Sequence, residues 1–182
     1  IVDFGCGTGR ASLMFHLFGL DVTQVDIALN CLDPDVRDEL GHRFIAANLW
    51  KFAPATRFDY GYCVDVMEHI PPDRVGQVLA NLATAAKTIF FHICLREDHF
   101  GEKLIGGPLH LTVKPFQWWR DKLRAYGTLA DARDLIQDGL FVLRAGALHS
   151  DRAWDQHAAG QAARERRAEH EAPAAAGVPA PA

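Results

Sequence analysis

The sequence predicts an α/β fold: a Rossmann-like, mostly parallel sheet with helices on both faces and a terminal antiparallel hairpin. Three observations predict it. Strand-like and helix-like segments alternate through roughly residue 145, and such alternation builds a parallel sheet by right-handed crossovers. Three alternating glycines, Gly5, Gly7 and Gly9, lie between the first strand and the first helix. An acid, Asp26, ends the second strand. With 182 residues, 49% of them apolar and 23% charged, the chain can bury one core without disulfides or a structural metal.

The elements follow in order. Residues 1–4 form a short apolar strand that stops at the glycines. From Arg10 to Phe18, the residues Ala11, Met14, Phe15 and Phe18 fall at helical spacing, and Gly19 is placed just past the helix end. Residues 20–27 read as a second strand. Asp33 to Leu40 read as a short helix, with Asp33 as cap and Pro34 in its first turn. Residues 42–48 and 58–66 are the third and fourth strands. Pro72 opens the clearest helix, where Val75, Val78, Leu79, Leu82 and Ala86 make one apolar stripe. Residues 87–95 form a continuous apolar strand of the kind buried on both faces. Residues 96–112 form a long loop containing Gly101, Gly106, Gly107 and Pro108, and loops this long are functional or mobile. Pro115 opens a helix carrying Phe116, Trp119, Leu123 and Tyr126 on one face, and Gly127 ends it. Residues 128–135 and 139–145 pair as a hairpin with Gln137, Asp138 and Gly139 in its turn, adding an antiparallel edge strand. The domain is placed at 1–150. The Ala-rich stretch 151–182 reads as a charged, frayed helix running into a disordered tail. Ile1 already reads as strand, so further residues are expected to precede it.

A net charge of −4 argues against a wholesale electrostatic grip on nucleic acid. Cys6, Cys31, Cys63 and Cys94 form no C-x-x-C pair, which predicts free thiols in a reducing, cytoplasmic setting. No apolar run approaches the length of a membrane span.

The glycine loop carries the chemistry. Glycine lets the backbone turn sharply and lets a ligand approach where a Cβ would stand. The helix that follows offers unpaired N–H groups. A pyrophosphate loop has the pattern G-x-G-x-x-G, which would need glycine where Arg10 stands. Asp3, just before the glycines, favours a ligand with an ammonium group over a diphosphate. Asp26 can accept hydrogen bonds from both hydroxyls of a ribose.

VDFGCGTGR resembles the first motif of the class I S-adenosylmethionine-dependent methyltransferases, and Asp26 matches their ribose-binding acid. The order of later elements is similar to that family through roughly residue 145. The resemblance implies S-adenosyl-L-methionine as cofactor. Asp3, Gly5, Cys6, Gly7, Thr8 and Gly9 would border its methionine end. Asp26, with Ile27, would hold the ribose, and Asn48, with Leu49, would approach the adenine. Asn48 stands where the family often has Asp, and its amide can still bond the adenine edge.

VDVMEHIPPDRV at 64–75 resembles the D-V-L-E-H-I-P element of many family members. The fourth strand neighbours the first in such a fold, so its end faces the cofactor at a topological switch point. Asp65, Val66 and Met67 join the cofactor-binding set, with Glu68 and His69 beside them. Carboxylates and aromatic faces suit a sulfonium. No metal is assigned. The alternative is an oxygen and nitrogen metal site of Asp65, Glu68, His69 and His110, since small-RNA 2′-O-methyltransferases are similar, with E-x-x-E-H and a later histidine; here the first acid is Asp. The lone Pro-Pro, Pro71-Pro72, lacks the flanks of a DNA amino-methyltransferase motif, so DNA is excluded as substrate.

The catalytic candidates are His110, a loop histidine of a type that titrates near neutrality, and then His69. His92, inside an apolar strand, reads as core. Trp119 reads as core, and Trp118 as pocket border or surface. The pattern H-L-T-x-K-x-x-x-W-W, starting at His110, resembles uncharacterised bacterial and phage-associated methyltransferases. The resemblance implies methyl transfer to an O or N acceptor, with a small molecule or saccharide leading. RNA or protein acceptors, a non-catalytic cofactor-binding fragment, and a nicotinamide oxidoreductase are the alternatives. The oligomeric state is not read from the sequence.

Overall fold

The protein is described here by a computed structural model, which covers residues 1–146. The reading of 151–182 as a frayed helix and tail lies outside the described residues. The elements are β1 (Val2–Phe4), α1 (Arg10–Leu17), β2 (Thr23–Asp26), α2 (Pro34–Leu40), β3 (Phe44–Ala46), β4 (Phe58–Val64), α3 (Val75–Ala85), β5 (Ala86–Cys94), α4 (Gly101–Ile105), α5 (Phe116–Arg124), β6 (Gly127–Asp134) and β7 (Asp138–Ala145).

All seven strands join one sheet in the order β3-β2-β1-β4-β5-β7-β6. Strands β1 to β5 pair in parallel, and β7 pairs antiparallel with both β5 and β6. The expected fold class stands, with one correction. The hairpin does not lay its antiparallel strand at the edge: β7 inserts between β5 and β6. Its turn is also shifted. Asp138 and Gly139 are already paired with Cys94 and Ile93, so the reversal falls on Leu135, Ile136 and Gln137.

Two cores flank the sheet. The larger packs Phe4, Ile89, Phe91, Ile93, Phe141 and Leu143 against Val75, Val78, Leu79 and Leu82 of α3 and Phe116, Trp119 and Leu123 of α5. The smaller gathers Cys6, Val22, Leu32, Val36 and Leu40. The stripe of α3 is buried as its spacing predicts, although the helix starts at Val75 and Ala86 already opens β5. Trp119 is fully buried. Trp118 is half-buried, edge to face with Trp119 at 4.9 Å, and the Lys122 ammonium lies 5.6 Å from its ring.

Two expectations are corrected by packing. Strand β5 is not buried on both faces: Ile89, Phe91 and Ile93 are buried while Thr88, Phe90 and His92 are only partly so. Helices α3 and α5 cover one face there, and the other opens into an apolar groove that includes Phe90, Tyr60 and Val142. The stripe of α1 likewise does not face a core, since Met14 and Phe18 are exposed and Ser12 is the buried residue. Gly19 does close α1: with φ +82°, its N–H bonds the His16 carbonyl and the Leu20 N–H bonds the Phe15 carbonyl, a Schellman arrangement. Gly127 begins β6 rather than ending α5.

The long loop contains α4, and it is tied down. The Asp98 carboxylate accepts the N–H groups of Phe100, Gly101 and Leu109. No helix among the described residues is long and apolar enough to cross a membrane.

Candidate active site

The glycine loop turns at the carboxyl end of β1, where all three glycines have positive φ. Their reasons differ. A Cβ on Gly9 would stand 2.6 Å from both Gln24 Nε2 and Val36 Cγ1, and one on Gly5 would stand 2.5 Å from Val66 Cγ2. Those two glycines permit packing. A Cβ on Gly7 would meet nothing within 4 Å, so Gly7 borders open space.

That space is a cleft of about 470 Å³, within the usual range for small-molecule sites. Gly5, Gly7, Asp26 and Ile27 line one wall, Asn48 and Leu49 a second, and Asp65, Val66 and His69 a third. The Asp26 carboxylate takes the Gly7 N–H at 2.9 Å on one oxygen and the Ile27 N–H at 2.6 Å on the other. Each oxygen keeps a lone pair for a further donor. Asn48 Oδ1 accepts the Trp50 N–H at 3.2 Å, which leaves its amide NH₂ as the free polar group.

Five residues of the sequence-derived cofactor set do not line this cleft. Asp3 is buried behind the loop, where the Ser12 hydroxyl donates to it at 2.6 Å. Burial pushes its carboxyl up to about 6, the Ser12 bond pulls it back, and the nearby Asp26 charge adds to the rise. Cys6 is buried, its thiol pushed up first by that burial and then by the Asp3 and Asp26 charges. Thr8 is exposed, and Gly9 packs against Gln24. Met67 is fully buried in the main core. The short 3-10 turn Met67–His69 buries its first two residues, while Asp65, which precedes it, is exposed.

Asp65 also borders a second cleft of about 960 Å³, together with Glu68, His92, His110 and Asp138. Asp65 has φ +53°, a conformation that Asp tolerates better than most residues. It turns the carboxylate onto His92, whose Nδ1 lies 2.8 Å from Asp65 Oδ1, with Nε2 3.7 Å from Asp138 Oδ1. His92 is thus a cleft residue on the open face of β5, not a core one. Alternation along β5 was the available signal, hidden by the apolar run.

The loop carrying His110 is stitched to the segment after β4. The Leu111 and Thr112 N–H groups donate to the Glu68 carbonyl at 2.7 and 2.9 Å. The Thr112 hydroxyl donates to the Ile70 carbonyl at 2.6 Å. His69 Nδ1 bonds the Leu109 carbonyl at 2.9 Å, and His110 Nδ1 bonds the Arg96 carbonyl at 2.8 Å. The two rings meet edge to face, centroids 4.9 Å apart. Both catalytic candidates are therefore brought together, at the junction of the two clefts. Glu68 is fully buried, with the Cys94 N–H on one oxygen at 3.1 Å, and its burial pushes the carboxyl up. Thr112, which sequence reasoning passed over, explains part of the H-L-T pattern.

A glycine turn after β1, an acid closing β2, and a sheet in which β7 inserts antiparallel beside β5 define a Rossmann-like fold with an open cleft at the strand ends. Residues 1–88 match the methyltransferase domain family. No curated protein matches the sequence. Among solved structures, the chain is similar to the PH0226 protein of Pyrococcus horikoshii OT3 (TM-score 0.64, 16% identity, covering 80% of this chain and 81% of that one). It is similar to the magnesium protoporphyrin IX methyltransferase of Synechocystis PCC 6803 with bound S-adenosylmethionine (0.60, 16%, 80% and 69%). It also resembles the 1,6-didemethyltoxoflavin-N1-methyltransferase of Burkholderia thailandensis with bound 1,6-didemethyltoxoflavin and S-adenosylhomocysteine (0.59, 22%, 79% and 69%). The match over residues 1–88 and the shared fold make the chain similar to the class I S-adenosylmethionine-dependent methyltransferases.

Proposed function

We propose that the protein methylates an oxygen or nitrogen of a small molecule or saccharide seated in the second cleft. The observation that carries this reading is the meeting of the two clefts at Asp65, which lines both. When bound in the first cleft, S-adenosylmethionine supplies an electrophilic methyl group whose departure leaves a neutral thioether, so no general acid is required.

The chain's own residues fit that cofactor. Gly7 leaves room at the loop, Asp26 has lone pairs free for ribose hydroxyls, and the Asn48 NH₂ can donate to a ring nitrogen of adenine. Asp3, Gly5, Cys6, Thr8, Gly9 and Met67 act from behind or beside the loop, by shaping it. His110, and then His69, are the candidate catalytic residues. With Nδ1 of each bonded to a carbonyl, Nε2 is the lone-pair atom of the neutral ring. Holding the acceptor in register can supply on the order of 7–11 kcal/mol of the acceleration.

The acceptor class follows from charge. Asp65, Glu68, Glu97, Asp98 and Asp138 line the second cleft, with Arg96 as the one lining Lys or Arg. A site of that sign disfavours a polyanion such as RNA and suits a neutral or cationic acceptor. The Synechocystis and Burkholderia thailandensis methyltransferases, whose names and bound ligand concern small molecules, support the same class. The cysteines, all free thiols, support a cytoplasmic setting, and we place the domain at 1–150.

Two measurements test the reading. Calorimetry should show S-adenosylhomocysteine binding and NAD not binding. Labelled methyl from S-adenosylmethionine, added with the protein to extract fractions, should appear in small molecules. Label confined to RNA or protein would overturn the acceptor class, and absence of S-adenosylhomocysteine binding would overturn the cofactor site.

A further inference from the structure

We propose that His92 and Asp138 are the specificity-determining pair of the second cleft, and that they select nitrogen as the methylated atom: a primary amine whose two N–H groups they hold. The inference rests on the methyl-transfer reading above and deepens it, since that reading leaves oxygen and nitrogen open.

The sheet itself builds the pair. His92 stands on β5, level with Val64 of β4 on one side and Leu140 of β7 on the other. Asp138 opens β7 opposite Cys94, which makes it the diagonal neighbour of His92 across an antiparallel pair. Side chains so related share a face and are within reach of one another. The contact exists because β7 inserts beside β5. Asp65 completes the row from the β4 side. Its N–H donates to the His92 carbonyl at 3.1 Å, and its carboxylate lies 2.8 Å from His92 Nδ1. A site carried by neighbouring strands is held more firmly than one carried by loops.

Donors and acceptors then fix what the pair can bind. A carboxylate only accepts, so Nδ1 carries the hydrogen of the Asp65 bond and the neutral ring presents a lone pair at Nε2. Asp138 Oδ1, a second acceptor, lies 3.7 Å from that nitrogen, beyond hydrogen-bond distance. Both side chains line the second cleft and both are partly exposed to it. Arg96, the one lining Lys or Arg, is bonded to Gln137 Oε1 at 2.7 Å instead. Two acceptors this close call for one group with two hydrogens. They subtend about 80° at a nitrogen about 2.9 Å from each, a bend of roughly 15° at each N–H bond, which hydrogen bonds tolerate. An amine satisfies both acceptors. A hydroxyl has one hydrogen and leaves one of them unpaired.

Held by its two N–H groups, the amine keeps its lone pair for the methyl group. Asp65 lines both clefts, so His92 stands one residue from the cofactor cleft. An acceptor arriving as an ammonium ion first loses one proton to Nε2 of His110, the base candidate of the same cleft. The N–CH₃ bond then forms from the lone pair as the S–CH₃ electron pair returns to sulfur. The positive charge passes from the sulfonium to the product nitrogen. His92 and Asp138 take no proton in this sequence; they position the acceptor.

The test uses the purified protein, S-adenosylmethionine labelled in its methyl carbon, and the small molecules of a cell extract separated by cation exchange at neutral pH. Label should appear as N–CH₃, told from O–CH₃ by NMR, in molecules of the retained, cationic fraction. For the unmethylated parent of that product, Asp138→Ala and His92→Phe should each raise KM by about 10- to 100-fold, with a smaller change in kcat. Asp138→Asn and His92→Gln, which each keep an accepting oxygen, should lose less than their partners. Circular dichroism should stay unchanged in all four, and affinity for S-adenosylhomocysteine within about twofold. Label on oxygen, carbon or sulfur, or KM unmoved in both Asp138→Ala and His92→Phe, would overturn the proposal and leave the methyl-transfer reading standing. Label confined to RNA or protein, no label at all, or no binding of S-adenosylhomocysteine would overturn that reading and this inference with it.

Discussion

The two clefts that meet at Asp65 are built in different ways. The cofactor cleft is made by backbone. Its tight turn uses glycine at all three positive-φ positions of the loop, and Asp26 braces the loop through two backbone N–H groups. The second cleft is made by side chains from the segment after β4, from β5, the long loop and the hairpin. Among its lining residues Asp65 has left-handed backbone, φ +53°, without being glycine; in the adjoining hairpin turn Ile136 does too, at φ +73°. A site made by backbone leaves a local signature in sequence. A site assembled from side chains far apart in the chain does not.

The sharpest way to break that separation is His110→Ala. Loss of a positioned proton-transfer group should lower turnover by about 100-fold or more. Affinity for S-adenosylhomocysteine should stay within about twofold, since His110 does not line the cofactor cleft. Parallel loss of both, measured by steady-state kinetics beside calorimetry, would show that the clefts act as one.

The contrast also governs what was legible. VDFGCGTGR, Asp26 and Asn48 are each adjacent to a strand end, so element order alone puts them in one cleft. The sheet followed from alternation for the same reason. Met67 was misplaced because motif proximity does not tell which way a 3-10 turn sends each side chain. His92 was misread because an apolar run of β5 hides an alternation that only the helix cover of one face reveals. The hairpin turn was shifted because Gln137, Asp138 and Gly139 have turn chemistry, while the reversal falls on Leu135 and Ile136, which do not.

Within the cofactor half, Gly9→Ala and Gly7→Ala separate packing from ligand space. Gly9→Ala combines a left-handed penalty with a Cβ 2.6 Å from Gln24 and Val36, and is expected to cost about 3 kcal/mol of stability. Gly7→Ala has only the conformational penalty, about 1 kcal/mol, yet should weaken cofactor binding more per unit of stability lost. Urea denaturation beside calorimetry compares them, and equal destabilisation would contradict the division of roles.

Asp3 tests how far the buried support of the loop is tuned to a bound ligand. Its folded value of about 6 lies above the unfolded 3.8, so the protonated form favours folding. That contribution is fully present below pH 3.8 and is lost as pH rises through 6. Ionised Asp3 therefore costs about 3 kcal/mol at pH 7. Asp3→Asn, which keeps an oxygen for the Ser12 hydroxyl, should regain about 2–3 kcal/mol at pH 7 and almost nothing at pH 4. It should also weaken cofactor binding if the charge serves the ammonium end. A gain independent of pH, in melts across that window, would place the effect in packing instead.

The smallest effect belongs to the hairpin beside the second cleft. Ile136 is 90% exposed, so its side chain contributes little burial, yet a β-branched residue at φ +73° is strained. Its N–H is satisfied by Asp134 Oδ1 at 2.9 Å, and the neighbouring Gln137 carbonyl accepts the Leu95 N–H at 2.8 Å. The turn is thus held by its flanks, with Ile136 following. Ile136→Asn relieves the left-handed penalty without adding glycine's freedom to the unfolded chain, and should stabilise by about 1 kcal/mol. Unchanged turnover with that gain would assign the strain to hairpin geometry. A gain in stability with a loss of turnover would mean that Ile136 meets the acceptor, extending the cleft beyond Gln137 and Asp138 to the tip of the hairpin.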